Sequence, residues 1–205
     1  MSSNKKIALT FDDGPSIPAT DRILTVLEKE KARATFFVVG ERVSAHSAQL
    51  KRMVQNSFQI GNHTWKHEYI SRITKEELQQ TIQNTSDAIA DACGVTPVIM
   101  RPPGGFVDTA SASAVGRMGL AAVLWSVDPR DWKTRDTQST IDYILKHAAD
   151  GAVILMHDLY EATAAAAEFL IPELKRQGYD LVTVEELAAD RGGITPGNVY
   201  YDFSK

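Results

Sequence analysis

The stretch KIALTFDDGPS, residues 6–16, joins an apolar run to two neighbouring carboxylates. A nearly continuous apolar run of this length is typical of a strand that is buried on both faces. Asp12 and Asp13 lie where the run stops, and Gly14 and Pro15 come directly after them. Asp, Gly and Pro are turn formers, so a simple turn would explain this motif if it stood alone. Its meaning therefore depends on the residues at the ends of the other strands in the chain.

Six further apolar runs of strand length occur, most of them separated by helix-length segments. They are ATFFVV (34–39), FQIGN (58–62), VIMR (98–101), AAVLWS (121–126), GAVILMH (151–157) and DLVTV (180–184). Strands that alternate with helices predict a largely parallel sheet covered by helices, either an open doubly wound sheet or a barrel. We therefore expect an α/β fold.

The clearest helix signal begins at Thr74, where TKEE places Glu77 three residues after a cap residue, as in a capping box. Apolar residues then recur at helical spacing as far as Cys93, and Gly94 comes next as a C-terminal stop. Without an internal linker or repeat, the chain is predicted to form one catalytic domain over residues 1–190. The remaining residues, 191–205, are predicted to form an irregular tail that is either a strap or a frayed end.

Composition excludes several classes of protein. With 205 residues, of which 43% are hydrophobic and 23% charged, the chain can bury the core of one globular domain. Its net charge of −4 argues against a nucleic-acid partner, and its single cysteine cannot form an internal disulfide. No window approaches the ~18 apolar residues of a membrane span, and the N-terminus lacks the apolar core of an export signal.

Ionisable side chains stand after five of the predicted strands, at the ends where chemistry gathers in parallel α/β folds. The motifs at these ends are DD (12–13), HTWKH (63–67), RPPGG (101–105), DPRDW (128–132) and MHD (156–158). Turn formation alone does not explain five such endings. We therefore expect these carboxylate, imidazole and guanidinium groups to meet at one rim.

The pair His63 and His67 is spaced four residues apart, so on a helical turn both imidazoles would share one face, as paired metal ligands do. A carboxylate from another strand end would complete a His-His-Asp site with open positions for water, which is typical of a catalytic metal. Asp128 and Asp158, also at strand ends, are interpreted as structural hydrogen-bonding residues.

In their order, the motifs TFDDG, HTWKH, RPPGG, DW and LMH resemble those of NodB-like polysaccharide deacetylases, carbohydrate esterase family four. The similarity extends from about Ile7 to about Leu187. The resemblance implies a distorted (β/α)7-type barrel with parallel strands and a metal-dependent deacetylase site at its rim.

By this resemblance, Asp12 is the general base, and Arg101 braces it. Asp13, His63 and His67 hold one divalent metal ion. Zn²⁺ suits two imidazoles and one carboxylate, while Co²⁺, Ni²⁺ or Mn²⁺ could occupy the same site.

The resemblance also implies that His157 is the general acid and that Asp131 orients it. Trp132 and Leu155 match positions that line the pocket for the acetyl methyl group. Gly104 matches a residue whose backbone N–H lies in the oxyanion hole. Many family members have an aromatic residue at that position. The glycine therefore puts in doubt whether an aromatic wall lies beside the sugar in this protein.

The expected function is removal of N-acetyl groups from polymers or oligomers that contain N-acetylglucosamine, such as peptidoglycan or chitin fragments. Alternatives are O-deacetylation of acetylated xylan, hydrolysis of a non-sugar C–N bond, and a catalytically silent carbohydrate-binding protein. The expected partner is an acetylated carbohydrate, with no nucleic acid and no membrane span. We expect a monomer, and the resemblance implies an extracellular or cell-surface location.

Overall fold

The computed structural model describes residues 5–204, in which helices surround one curled sheet. The ends of the predicted domain and tail, residues 1–4 and 205, lie outside the described residues. The strands are β1 (Lys5–Asp12), β2 (Thr35–Val38), β3 (Gln59–Asn62), β4 (Ile99–Met100), β5 (Ala121–Val123), β6 (Val153–His157), β7 (Tyr179–Leu181) and β8 (Val199–Tyr200). The α-helices are α1 (Ala19–Glu30), α2 (Gly40–Val43), α3 (Ser47–Gln55), α4 (Lys75–Cys93), α5 (Thr109–Arg117), α6 (Asp131–Thr134), α7 (Thr137–His147), α8 (Glu161–Arg176) and α9 (Val184–Ala189). None of these helices is long and apolar enough to cross a lipid bilayer.

The sheet has the strand order β6-β1-β2-β3-β4-β5-β8, with β7 beside the first residues of β1, and the pairs are parallel. The chain that leaves β5 then returns to β6. Leu155 N donates to Val127 O at 2.9 Å, and Ser126 N donates to Val153 O at 3.0 Å. These bonds connect the two sides of the sheet, so the predicted distorted barrel is confirmed and the open doubly wound sheet is not.

Strand β1 is apolar along nearly its whole length because both of its faces are covered. Ile7, Leu9 and Phe11 point outward into the core cluster that also contains residues of α1 and α8, and all three are fully buried. Ala8 belongs to the cluster inside the barrel. Each large side chain buried in this way contributes about 1.5–3 kcal/mol of hydrophobic stabilisation. The polar end of the strand is therefore held on a rigid element.

Capping boxes fix the start of three helices, α4, α5 and α9. The predicted one is confirmed, because the Thr74 hydroxyl accepts from Glu77 N while the Glu77 carboxylate accepts from Thr74 N. A second capping box corrects the predicted strand at 180–184. Thr183 accepts from Glu186 N, so β7 stops early and α9 begins where the strand was expected to continue. The local cap competes with the β-branched run and prevails.

Most of the tail, which the structure describes from residue 191 to residue 204, has no regular structure, but it contains one short strand. Val199–Tyr200 forms β8 beside β5, whose edge would otherwise be unpaired. Phe203 is buried in the cluster inside the barrel, and its backbone N donates to Gly151 O at 2.9 Å. The tail is thus a strap across the end of the barrel opposite the site rim.

Register brings the strand ends together. Asp12 is paired with His157 on β6 and with Phe37 on β2. Directly after β3, His63 N donates to Val38 O, and directly after β4, Arg101 N donates to Asn62 O. Because all these strands are parallel, the residues at their carboxyl ends reach the same rim.

Candidate metal centre and catalytic groups

The two neighbouring carboxylates at the end of β1 face different partners. Asp12 is buried, and its Oδ1 accepts from Arg101 Nη1 at 2.8 Å. Asp13 has a φ of +73°, in the left-handed region that is uncommon for residues other than glycine. This turn directs its Oδ1 to within 3.3 Å of both His63 Nε2 and His67 Nε2. The backbone thus separates two like charges that are adjacent in sequence.

Asp13, His63 and His67 form a compact group of three metal-type ligands. One ligand atom from each residue lies within 4.8 Å of the others. His63 Nδ1–H donates to Arg101 O at 2.7 Å, which leaves the Nε2 lone pair directed toward Asp13. An anchored imidazole with a free Nε2 is in the tautomer that a metal ion requires.

The charges of this group also suit a cation. Burial acts to raise the pKa of Asp13, but the close approach and charge of His63, with the charges of His157 and His67, lower it to about 2. Burial, followed by the charge of His63, lowers the pKa of His67. Asp13 is therefore ionised and His67 neutral at pH 7, and these are the forms that bind metals.

The HTWKH segment is not helical, which corrects the expected reason for the convergence of its histidines. Thr64 and His67 have φ values of +64° and +61°, so the segment is an irregular loop. Asn62 Oδ1 accepts from Thr64 N at 2.9 Å, and Asn62 Nδ2 donates to Ile82 O on α4. Trp65 N donates to the Thr81 hydroxyl, also on α4. The helix therefore supports the loop that brings the two imidazoles together.

Arg101 is completely buried and holds Asp12 in place. Besides Asp12, its Nη1 donates to the Thr10 hydroxyl at 2.7 Å, while Nε and Nη2 donate to the backbone oxygens of Val123 and Leu124. Its guanidinium carbon lies 4.2 Å from the centre of the Phe37 ring. A buried ion pair with this many hydrogen bonds keeps both partners in fixed positions.

His157 is hydrogen-bonded to Asp131, as the sequence predicted. Nδ1–H donates to Asp131 Oδ1 at 2.8 Å, while His157 N and the Thr163 hydroxyl donate to Asp131 Oδ2 at 2.8 and 2.7 Å. Burial acts to lower the pKa of His157, but the hydrogen bond and charge of Asp131, with the charges of Asp12 and Asp13, raise it to about 9. The ring is thus cationic at neutral pH and has Nε2–H as its free donor.

The predicted substrate-binding residues lie on three different elements. Gly104, in the 3₁₀ turn Pro103–Gly105, is exposed and has a φ of +63°. Leu155 is buried in β6, two residues before His157 and on the same side of the strand. Trp132 is 46% exposed at the start of α6. With this exposure, Trp132 is not part of the buried core.

Asp158 supports the β1 end more closely than its interpretation as a structural residue at the rim indicated. Its carboxylate accepts from the Thr20 hydroxyl at 2.6 Å, and its backbone N donates to Asp12 O at 3.3 Å. A Cβ at Gly14 would lie 2.1 Å from Asp158 Oδ2, so Gly14 is required by this close approach. Burial, opposed by the Thr20 hydrogen bond and assisted by the charges of Asp13 and Asp12, raises the pKa of Asp158 to about 7.

Sequence reasoning missed the threonines and the asparagine that support these groups. Thr20 donates to Asp158, and Thr163 donates to Asp131. Thr10 accepts from Arg101, the residue that holds Asp12. In the sequence they occupy ordinary strand and helix positions. The position of Asn62, directly before the HTWKH motif, was the one available signal of support for the histidine loop.

Comparison with known proteins agrees with this geometry. Residues 2–123 match the protein-family model described as polysaccharide deacetylase. The chain is 42% identical over 185 residues to the peptidoglycan-N-acetylmuramic acid deacetylase PdaC of Bacillus subtilis. The aligned region covers 90% of this chain and 39% of that protein. It is 38% identical over 191 residues to a peptidoglycan-N-acetylglucosamine deacetylase of Bacillus cereus, covering 91% of this chain and 89% of that protein. The chain thus spans about two fifths of the length of the first curated relatives it matches.

Solved structures give the same result. A family 4 acetyl xylan esterase from Clostridium thermocellum, in complex with a cobalt ion, has a TM-score of 0.91 and 32% identity, covering 98% of this chain and 100% of that chain. The family resemblance that the five motifs predicted is therefore confirmed. This chain belongs to the polysaccharide deacetylase family, the NodB-like group of carbohydrate esterase family four.

Proposed function

We propose that this chain is a metal-dependent hydrolase that removes N-acetyl groups from poly- or oligosaccharides containing N-acetylglucosamine, such as peptidoglycan or chitin oligomers. One observation carries the proposal. The two adjacent carboxylates are held apart, so that Asp13 faces two imidazoles while Asp12 is fixed by Arg101. A simple turn has no need of this separation, whereas a hydrolase needs one carboxylate as ligand and another as base.

The donor set of Asp13, His63 and His67 fits a divalent ion. Asp13 Oδ1 is buried and accepts no hydrogen bond of normal geometry from the described residues, which leaves it available to a cation. Zn²⁺ is the ion we favour, and Co²⁺, Ni²⁺ or Mn²⁺ accept the same donors. Once bound, the ion supplies polarisation of a water molecule and of the acetyl carbonyl.

Asp12 is proposed as the general base. Its Oδ1 is occupied by Arg101, and its Oδ2 lies 3.8 Å from His63 Nε2, beside the three ligands. The Arg101 guanidinium, which donates to Oδ1, fixes the position of this carboxylate. Asp12 Oδ2 is thus placed to accept a proton from water as the water oxygen forms its bond to the carbonyl carbon.

His157 is proposed as the general acid, and the backbone N–H of Gly104 as a donor to the developing oxyanion. When the C–N bond breaks, the electron pair goes to nitrogen, and His157 Nε2 delivers the proton that makes the amine a good leaving group. The products are acetate and a free amine. Loss of one oxyanion donor typically raises the barrier by about 3 kcal/mol.

Hydrolysis of acetyl esters on xylan is the second candidate, because the same base, acid and oxyanion donor also act on an ester. The structural similarity to an acetyl xylan esterase supports it. A catalytically silent binding protein is disfavoured because the base, the metal ligands and the acid are all present. We further propose an extracellular or cell-surface location, on the basis of the family resemblance, and a monomeric state.

Acetate release from chitopentaose, peptidoglycan and acetylxylan tests the proposal. We expect release from the N-acetylated substrates, loss of release after chelation, and loss in Asp12→Asn. Asp142→Asn, which changes a carboxylate on the exposed side of α7, is the matched control and should retain activity. Faster release from acetylxylan would favour the esterase, and no release from any of the three would refute the enzyme.

A further inference from the structure

Two exposed aromatic rings lie beside the three metal-type ligands. Tyr69 and Phe106 are 37% and 43% exposed, and their ring centres are 5.1 Å apart at an interplanar angle of 75°. The Tyr69 ring centre is 5.9 Å from that of His67. These rings come from two loops, one after β3 and one after β4. Large aromatic side chains left exposed next to a site are typical of a binding surface.

Arg72 holds the two rings in this arrangement. Its guanidinium carbon is 5.1 Å from the centre of the Tyr69 ring and 4.7 Å from that of Phe106. No acidic side chain within residues 5–204 forms an ion pair with Arg72, so the two rings are the partners the structure gives this cation. We call the three residues Tyr69, Arg72 and Phe106 the aromatic platform.

The platform takes up the space beside Gly104. A Cβ on Gly104 would lie 2.9 Å from two carbons of the Phe106 ring and 3.1 Å from Tyr69 Cε1. The glycine therefore lets the rings approach the backbone at the proposed oxyanion donor. From the sequence, Gly104 put an aromatic wall beside the sugar in doubt, and the structure places two other rings where that side chain would begin.

We propose that the aromatic platform binds a second pyranose ring of the glycan, next to the sugar whose acetyl group is hydrolysed. This inference rests on the proposed function. Pyranose rings have apolar C–H faces that stack on aromatic rings, and the Arg72 guanidinium can donate to the hydroxyls at the ring edge. The platform is continuous with the metal-ligand group through the His67–Tyr69 contact, so one glycan chain can occupy both.

The test compares a tetramer of N-acetylglucosamine with the monomer as substrates. Removing one stacking ring should lower the ratio of tetramer to monomer kcat/KM by about tenfold in Phe106→Ala, through KM rather than kcat. Phe106→Tyr keeps a ring and should restore the ratio. Phe169→Ala, which removes a phenylalanine that is 51% exposed on α8, is the matched control and should leave the ratio unchanged.

An unchanged ratio in Phe106→Ala would overturn the inference. If kcat/KM falls by the same factor for monomer and tetramer, the ratio is also unchanged, and the ring only supports Gly104. Calorimetric binding of the tetramer to wild type and Phe106→Ala is measured alongside, and weaker binding by the variant supports the inference. If wild type releases no acetate, the proposed function fails, while tetramer binding still decides for or against the platform.

Discussion

Replacing Asp131 with asparagine removes the carboxylate that makes His157 an acid. Two donors, His157 N–H and the Thr163 hydroxyl, converge on Asp131 Oδ2, so the asparagine oxygen should stay at that position. Its amide nitrogen would then face His157 Nδ1, whose N–H donates a hydrogen bond to Asp131 Oδ1 in the wild type. The ring would respond by keeping its proton on Nε2 and remaining neutral, and a neutral imidazole is a very poor acid.

The size of the effect comes from the pKa. With a pKa of about 9, His157 is about 99% protonated at pH 7 and about half protonated at pH 9. Without Asp131, burial lowers the pKa of His157 while the charges of Asp12 and Asp13 still raise it. At the ordinary pKa of about 6.5, about a quarter of the rings are protonated at pH 7. On this basis the loss in kcat/KM should be about fourfold at pH 7 and about a hundredfold at pH 9.

The assay is kcat/KM for acetate release from a chitin oligomer, measured between pH 6 and pH 9.5 for wild type and Asp131→Asn. Asp128→Asn is the matched control, because it changes a carboxylate in the same loop that bonds Arg130 N and does not contact His157. A profile for Asp131→Asn that runs parallel to the wild-type profile, with a constant offset at every pH, would refute the proposed role of Asp131.

Three further substitutions test the support of the site, each by urea unfolding. Arg101→Met leaves the Asp12 charge buried without a partner, so the free energy of unfolding should fall by about 3–5 kcal/mol, and a loss below about 1 kcal/mol would contradict this role of Arg101. In the folded chain, Asp158 keeps its proton up to about pH 7, whereas in the unfolded chain it releases the proton near pH 4. The stability of the wild type should therefore fall as pH rises from about 4 to about 7. Asp158→Asn should therefore gain stability over wild type at pH 8 by up to about 4 kcal/mol but not at pH 4, and an equal difference at both pH values would contradict the raised pKa. Gly14→Ala should lower the free energy of unfolding by about 1–3 kcal/mol because the new Cβ meets the Asp158 carboxylate. This loss should be smaller in an Asp158→Ala background, and an undiminished loss there would contradict the clash.

Most of the barrel was predictable because its strands are buried on both faces and are therefore long apolar runs. Closure of the barrel followed from the family resemblance and not from the apolar pattern, since it depends on bonds such as Leu155 N to Val127 O that join segments without any matching local pattern. The short strand within residues 191–204 was missed for a related reason. Phe203 is held by the space it fills, and the two residues of β8 are too few to give a periodic signal.

The groups that carry charge were predictable because they stand at strand ends, and parallel strands bring these ends to one rim. Their exact support was not. The loop that joins His63 to His67 reaches its shape through positive φ values and bonds to α4, where helical spacing had suggested another reason. Asp158 was expected to be a structural hydrogen-bonding residue, but its contact with Gly14 was not predictable, because that contact depends on packing across two strands.

The central claim is that two adjacent aspartates have different roles, with Asp13 as metal ligand and Asp12 as base. The two roles are separated by making the same Asp→Asn substitution at each position. For each variant, calorimetric titration of Zn²⁺ into chelator-treated protein measures metal binding, and acetate release measures activity. We predict one Zn²⁺ bound per chain in wild type and in Asp12→Asn, weak or no binding in Asp13→Asn, and little acetate release by either variant. Loss of Zn²⁺ binding in Asp12→Asn with retention in Asp13→Asn, or full activity in the chelated protein, would contradict this division of roles.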